Sequence, residues 1–204
     1  AREKLPKGYS FEWSAMSFQE QKASGTVVIL FILALIFAYL FLVALYESWN
    51  LPMAIMLSIL VATLGAFAGL WITQLPLSIY AEIGIVLLVA LAAKNAILIV
   101  EFAKDHRNEG ESAYQAAIEG ARIRFRPVLM TALTFIIGVA PLVWSSGAGA
   151  SSRQHIGTVV FSGMIAATTL GIIIVPPLYY FFQRMGEKTH AWREKHALRK
   201  SEEQ

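Results

Sequence analysis

Five long apolar stretches run through this chain of 204 residues, and they leave few folds open to it. A helix needs about 20 apolar residues to cross a hydrocarbon core of roughly 30 Å. The stretches cover residues 25–46, 52–73, 77–102, 127–146 and 155–183. In lipid every backbone N–H and C=O must be satisfied within the protein, which makes runs of this length helices. Composition agrees: 56% of residues are hydrophobic and the mean hydropathy is +0.56, too apolar for an ordinary soluble domain. The expected fold is an all-α membrane protein, a bundle of five transmembrane helices. The chain has no cysteine, so disulfide frameworks and thiolate metal sites are excluded.

The placement of Lys and Arg predicts the topology. Residues 47–51 and 74–78 hold no cation, and the fourth connection holds only Arg153. The segment 104–126 holds Lys104, Arg107, Arg122, Arg124 and Arg126. The C-terminal tail holds Arg184, Lys188, Arg193, Lys195, Arg199 and Lys200. With five spans these two basic segments fall on the same side, assigned to the cytoplasm, and the N-terminus falls outside. The net charge of +3 and pI near 9.2 therefore read as a topology signal and not as a nucleic-acid surface. The opening residues lack the apolar core of a signal peptide, so targeting is expected to rest on another segment or another chain.

Three domains follow. Residues 1–24 look like the remnant of a larger external domain: Tyr9, Phe11 and Trp13 alternate with Ser10, Glu12 and Ser14 at strand period. A lone strand is not stable, so it should pair with a sheet outside this chain. Residues 25–184 are the five-helix region, and 185–204 form a basic tail. Between the third and fourth spans, Ser112 and Gln115 fit a capping box. Ala113, Ala116, Ala117, Ile118 and Ala121 then recur at helical spacing, which predicts a separate amphipathic helix over 112–123 along the inner membrane face. Pro127 suits the first turn of the fourth span. Pro141, Pro176 and Pro177 either bend their helices or mark their ends. In the second span Gly65 and Gly69 form a small-xxx-small pair of the kind that lets two helix backbones approach closely.

The charges inside the third span pose the functional question. A lysine at a span centre costs about 2.5–3.5 kcal/mol on insertion scales. Lys94 is twelve residues from Glu82 and seven from Glu101, roughly 18 Å and 10 Å along a helix axis, too far for an ion pair. Glu101 lies near the rim, within reach of Lys104. No other span contains an Asp or Glu, and the only Asp in the chain is Asp105. Either Lys94 snorkels or donates to carbonyls, or it faces a carboxylate on helices outside this sequence. Such a pair is a natural proton switch, because a cation favours the charged carboxylate and protonating the acid frees the lysine. Thr131 and Thr134 in the fourth span can relay protons through hydroxyls, which both donate and accept. Their ordinary role is a bond to a carbonyl one turn back. Arg124 and Arg126 flank Pro127 as interfacial anchors, with gating as the sharper alternative.

The run AKNAILIVEFAKD, residues 93–105, and the run ARIRFRPVLMTALTFIIGVAPLVWSSGAGA, residues 121–150, strongly resemble the resistance-nodulation-division (RND) multidrug exporters of Gram-negative inner membranes, AcrB-type. ALYESWNLP and LPKGYSFEWSAMSFQEQ resemble the same family, so the likeness extends to about Arg184. It implies twelve spans, two large periplasmic insertions and a homotrimer. It also implies proton-driven export through a periplasmic adaptor and an outer-membrane channel. This sequence resembles the last five spans, preceded by the end of the second periplasmic region. The family's relay lysine, asparagine, threonine and arginine correspond to Lys94, Asn95, Thr131 and Arg124. Their partner in the family is a pair of aspartates on an N-terminal span, which this sequence lacks along with the drug-binding pockets.

The expected function is therefore the C-terminal transmembrane part of a proton/drug antiporter. It would contribute the lysine side of the relay, use the proton motive force and no cofactor, and be unable to transport alone. The alternative is an inactive membrane piece with a scaffolding or assembly role. Its expected partners are the N-terminal half, the lipid bilayer and the assembly named above, with no nucleic acid. A membrane enzyme is disfavoured: no Ser/His pair sits at useful spacing in a span, there is no metal cluster, and the histidines are scattered at 106, 155, 190 and 196.

Overall fold

A computed structural model describes the backbone over residues 26–202 and the side chains from Phe31 to Glu187. The expected strand near the N-terminus lies outside the described residues. Six helices follow in order: α1 Thr26–Tyr46, α2 Leu51–Thr73, α3 Ile79–Asn108, α4 Ala113–Val143, α5 Ala150–Ala166 and α6 Ile172–Glu202. A π-helical stretch, Ala167–Gly171, joins α5 to α6 without a break. Among the described residues there is no strand. The chain divides into two compact units, Ala1–Ala38 and Tyr39–Gln204. The described part of the first is the leading portion of α1, an uncharged apolar helix. The second holds everything considered below.

Helices α2, α3, α4 and the α5–α6 rod are each long and apolar enough to cross a membrane. The expected span 25–46 coincides with α1, whose stretch Phe31–Tyr46 is a shorter apolar helix. The all-α membrane fold expected from the sequence is thus present. Helix α3 starts at the N-cap Ser78, whose hydroxyl accepts from Ala81 N at 3.4 Å. Glu82 stands in its first turn, where the positive end of the helix dipole favours a carboxylate.

The amphipathic helix expected over 112–123 is not a separate element. Ser112 does cap a helix, accepting from Gln115 N at 3.3 Å and donating to Gln115 Oε1 at 3.0 Å. That helix then continues through Pro127 to Val143. Pro127 therefore lies well inside α4, while Pro141 lies in its last turn. The physical reason lies in packing. Ala116, Ala117 and Gly120 are buried, and a Cβ on Gly120 would lie 2.6 Å from Ala103 N. The small residues of this stripe pack against α3. Helix α3 also runs past the expected limit of its span to Asn108, so α3 and α4 form a long hairpin closed at Glu109–Ser112. Once α4 has nucleated, extending it costs less than starting a new helix.

Helix α5 organises the bundle. Gly65 and Gly69 of α2 pack on it: a Cβ on Gly65 would overlap that of Ala166 and come within 3.2 Å of Ser162 O. A Cβ on Gly69 would overlap the Ser162 side chain. The small-xxx-small pair thus marks a real helix contact, matched on α5 by Thr158, Ser162 and Ala166 one turn apart. On another side of α5, a Cβ on Gly163 would come within 3.0 Å of Leu88 Cγ from α3. A buried cluster then gathers the other helices: Leu42 and Tyr46 of α1, Ile55 and Ile59 of α2, Ile99 and Val100 of α3, Val128 of α4, and Val175 and Tyr179 of α6.

The two basic segments meet at one end of this bundle. Arg107 Nε and Nη2 each lie 2.9 Å from Glu187 Oε1. Substituting Gly65 by Leu should force α2 from α5 and destabilise the chain by about 1–3 kcal/mol or more, the usual cost of overpacking. Gly138→Ala is the control, because a Cβ there meets nothing within 4 Å. It should be neutral or gain about 0.5–1 kcal/mol from helix propensity. Thermal unfolding in detergent, followed by circular dichroism, measures both.

Candidate functional site

Lys94 and Asn95 occupy the middle of α3 because the helix there is held by its small and branched neighbours. Ala92, Ala96, Ile99 and Val100 are buried, which turns that face inward. Lys94 falls on the opposite side and is exposed, while Asn95 is half-buried. Among the described residues Lys94 makes no hydrogen bond or ion pair. The acid inventory of the sequence anticipates this.

Facing these two residues across the α3–α4 seam are Thr131 and Thr134. Together with Lys94 and Asn95 they line an open cavity of about 380 Å³. Met130 and Phe135 of α4 and Met164 of α5 contribute apolar wall. The Thr131 hydroxyl donates to Val128 O at 3.0 Å and that of Thr134 to Met130 O at 2.8 Å. Both donors are thus spent within the helix, as a membrane threonine ordinarily does. Each hydroxyl oxygen keeps lone pairs to accept with. The cavity therefore presents a cationic donor, an amide and two acceptors on apolar walls.

Asn95 has a second environment. It also borders a small crevice of about 10 Å³ with Ser58, Val128 and the π-stretch residues Ala167 and Gly171. That is close to the smallest space able to hold one water. The π-stretch is invisible in the sequence pattern, because a single wide turn leaves the apolar periodicity almost unchanged.

Arg124 does not line the cavity. It lies seven residues before Thr131 on α4, two turns along and on nearly the same face. Its guanidinium carbon stands 3.7 Å from the centroid of the Phe102 ring, a close cation–π contact. Its Nε is buried and lacks a hydrogen-bond partner among the described residues. Of the four residues expected at the site, the structure brings three together and holds the fourth against α3 by a ring that the motif alone does not flag.

Glu101 differs from its expected pairing. Its Oε2 accepts from the Tyr46 hydroxyl at 3.2 Å, and Lys104 Nζ instead donates to Tyr46 O at 3.4 Å. Tyr46 is buried at the end of α1, so it reaches Glu101 before the more exposed lysine can. Glu101 is thereby occupied at the rim and does not compete for Lys94. Among the described residues no group of His, Asp and Glu is arranged to hold a metal ion.

Comparison with known proteins gives this geometry its context. Residues 1–183 match the model of the AcrB/AcrD/AcrF family. The chain is 47% identical over 172 residues to the toluene efflux pump membrane transporter TtgB of Pseudomonas putida, covering 84% of this chain and 16% of the relative. It is 42% identical over 183 residues to the multidrug resistance protein MdtF of Escherichia coli, covering 89% and 18%. It is 38% identical over 182 residues to the multidrug export protein AcrF of Escherichia coli, again covering 89% and 18%. The chain thus spans less than a fifth of the length of these relatives. The apolar helices and the match over residues 1–183 converge: this multi-pass membrane chain belongs to the AcrB/AcrD/AcrF family of RND efflux permeases.

Proposed function

We propose that this chain forms the lysine side of the proton relay in a proton-driven multidrug efflux antiporter of the Gram-negative inner membrane. The observation that carries this reading is the shared cavity wall: Lys94, Asn95 and Thr131 converge there, and Lys94 has no partner among the described residues. Carboxylates that enter the cavity from other helices of the transporter meet an ammonium already aimed at them. In the deprotonated state the lysine binds a carboxylate. Protonation removes that attraction and releases the ammonium toward Asn95 and the free lone pairs of Thr131. Arg124, held on Phe102 two turns away, tunes the approach to the relay from the basic end. The N-terminus lies in the periplasm and the tail in the cytoplasm. Substrate pockets, adaptor and outer-membrane channel contacts belong to the rest of a homotrimeric transporter. The energy source is the proton motive force, with no cofactor and no covalent chemistry.

Co-expression with the aspartate-bearing half of a family transporter tests the reading through proton-coupled dye efflux. Efflux should appear only when both parts are present, and Lys94→Ala should return it to the background of the acidic half alone. Efflux that survives Lys94→Ala rules the relay out. Absence of efflux when both parts insert and associate favours a purely assembling role.

Lys94→Leu separates function from stability. Removing the unpaired cation should improve membrane insertion of its span by about 3 kcal/mol. The same change should abolish efflux. A glycosylation-reporter insertion assay and the dye assay read the two effects independently. Thr131→Ser should retain efflux and Thr131→Val should lower it, since the relay uses the hydroxyl and not the methyl group.

A further inference from the structure

A second cavity, of about 500 Å³, opens at the basic end of the bundle. Its wall comes from the α1–α2 turn, the end of α3 and the stretch of α6 from Tyr179 to Glu187, none of which lines the Lys94 cavity. Its size falls in the range of small-molecule sites.

Tyr179 lines this cavity with its side chain wholly buried. The hydroxyl has no hydrogen-bond partner among the described residues. A buried hydroxyl left in this state is unfavourable unless something fills the space beside it. Lys104 stands on the same wall. Its ammonium carries three donors, makes one long bond to Tyr46 O at 3.4 Å and rests 5.4 Å from the Tyr46 ring centroid. Donor capacity is therefore left over.

Two backbone features shape the wall. Glu47 lines the cavity at φ 52°, a left-handed conformation that is uncommon for a residue other than glycine and that clusters at functional sites. Gly186 stands opposite, and a Cβ there would come within 3.0 Å of the Asn50 side-chain nitrogen. A glycine inside a helix is unfavourable relative to alanine, and what it provides here is room for the Asn50 side chain at the cavity wall.

The charges decide which ligand fits. Arg107 and Glu187 neutralise each other through two contacts of 2.9 Å. What remains on the wall is one cation, Lys104, and one anion, Glu47, whose exposed carboxylate makes no ion pair among the described residues. Trp49, 66% exposed, and Phe182 stand at the cavity, as aromatic residues do at the membrane–water boundary. The cavity lies at the ends of α1 and α3, where apolar helix gives way to charged residues as at a membrane–water boundary.

The geometry points to a binding site for the headgroup of a zwitterionic phospholipid with a primary ammonium, of the phosphatidylethanolamine type. The phosphate diester accepts from the Lys104 ammonium and the Tyr179 hydroxyl. The lipid ammonium lies toward Glu47, and Trp49 marks the passage to the acyl region. A purely anionic headgroup would meet Glu47 without compensation.

Purified chain, stripped of lipid in detergent, is titrated with short-chain phosphatidylethanolamine, short-chain phosphatidylglycerol, glycerophosphoethanolamine and inorganic phosphate. Native mass spectrometry counts bound molecules and tryptophan fluorescence follows the titration. One phosphatidylethanolamine should bind in preference to phosphatidylglycerol, with the two water-soluble compounds much weaker. Lys104→Ala should weaken that binding roughly tenfold, the size of one charge-assisted hydrogen bond. Gly186→Leu should block it. Tyr179→Phe deletes only the hydroxyl and should lower affinity with no loss of Tm. Glu47→Gln should narrow the preference over phosphatidylglycerol. Equal or tighter binding of phosphatidylglycerol overturns the proposal. So does competition by inorganic phosphate at similar concentration, which would make this a free-anion site. Unchanged binding in Tyr179→Phe and Lys104→Ala proteins of normal helix content overturns it as well.

Discussion

Helix packing in a membrane cannot draw on apolar burial, because lipid tails are as apolar as leucine; it depends on how closely backbones can approach. In this bundle that approach is made at α5. Gly65 and Gly69 of α2 lie against Ser162 and Ala166 on one side of it, and Leu88 of α3 fills the space left by Gly163 on another. On a third side, a Cβ on Gly157 would come within 2.7 Å of Leu142 Cβ from α4. Three neighbours are thus set by one helix of small residues. The α3–α4 seam, and the cavity within it, exist at their present width because both helices are held to α5.

That arrangement explains how an expensive charge is tolerated. Lys94 lies on the face of α3 turned away from the buried Ala92–Ala96–Ile99 side, so the core never has to accommodate it. Glu101, the acid nearest to it on α3, is engaged by Tyr46. The rim charges are settled separately, Arg107 with Glu187 and Arg124 on Phe102. The Lys94 ammonium makes no hydrogen bond or ion pair among the described residues, while Glu101 and Arg107 each have a partner.

Much of this was legible in the residues. The apolar runs predicted the helices, since length and lack of charge suffice for that, and the Gly65/Gly69 spacing predicted a close contact. Lys94, Asn95 and Thr131 were legible as a set through the family motifs, and the missing acid through a simple inventory. The fate of the segment before Pro127 was not. Its alanine stripe fits a membrane surface or a neighbouring helix equally well, and only the approach of Gly120 to Ala103 decides between them. The Tyr46–Glu101 bond was hidden too, because it joins residues 55 apart in the chain. So was the cavity around Tyr179, whose walls come from three separated segments.

By itself the sequence determined the helical membrane fold, the family and the presence of a lysine for which no other span supplies an acid. These follow from local quantities: hydropathy summed over a span, charge counted along it and motifs read in order. Only the tertiary structure decided that Thr131 shares a cavity with Lys94 while Arg124 does not, that α4 runs unbroken through Pro127, and that Glu47, at positive φ, lines the same pocket as Lys104. Each depends on how far apart two helices stand and how each is rotated about its axis. Those quantities are set by side chains meeting across the bundle, and no linear pattern encodes them.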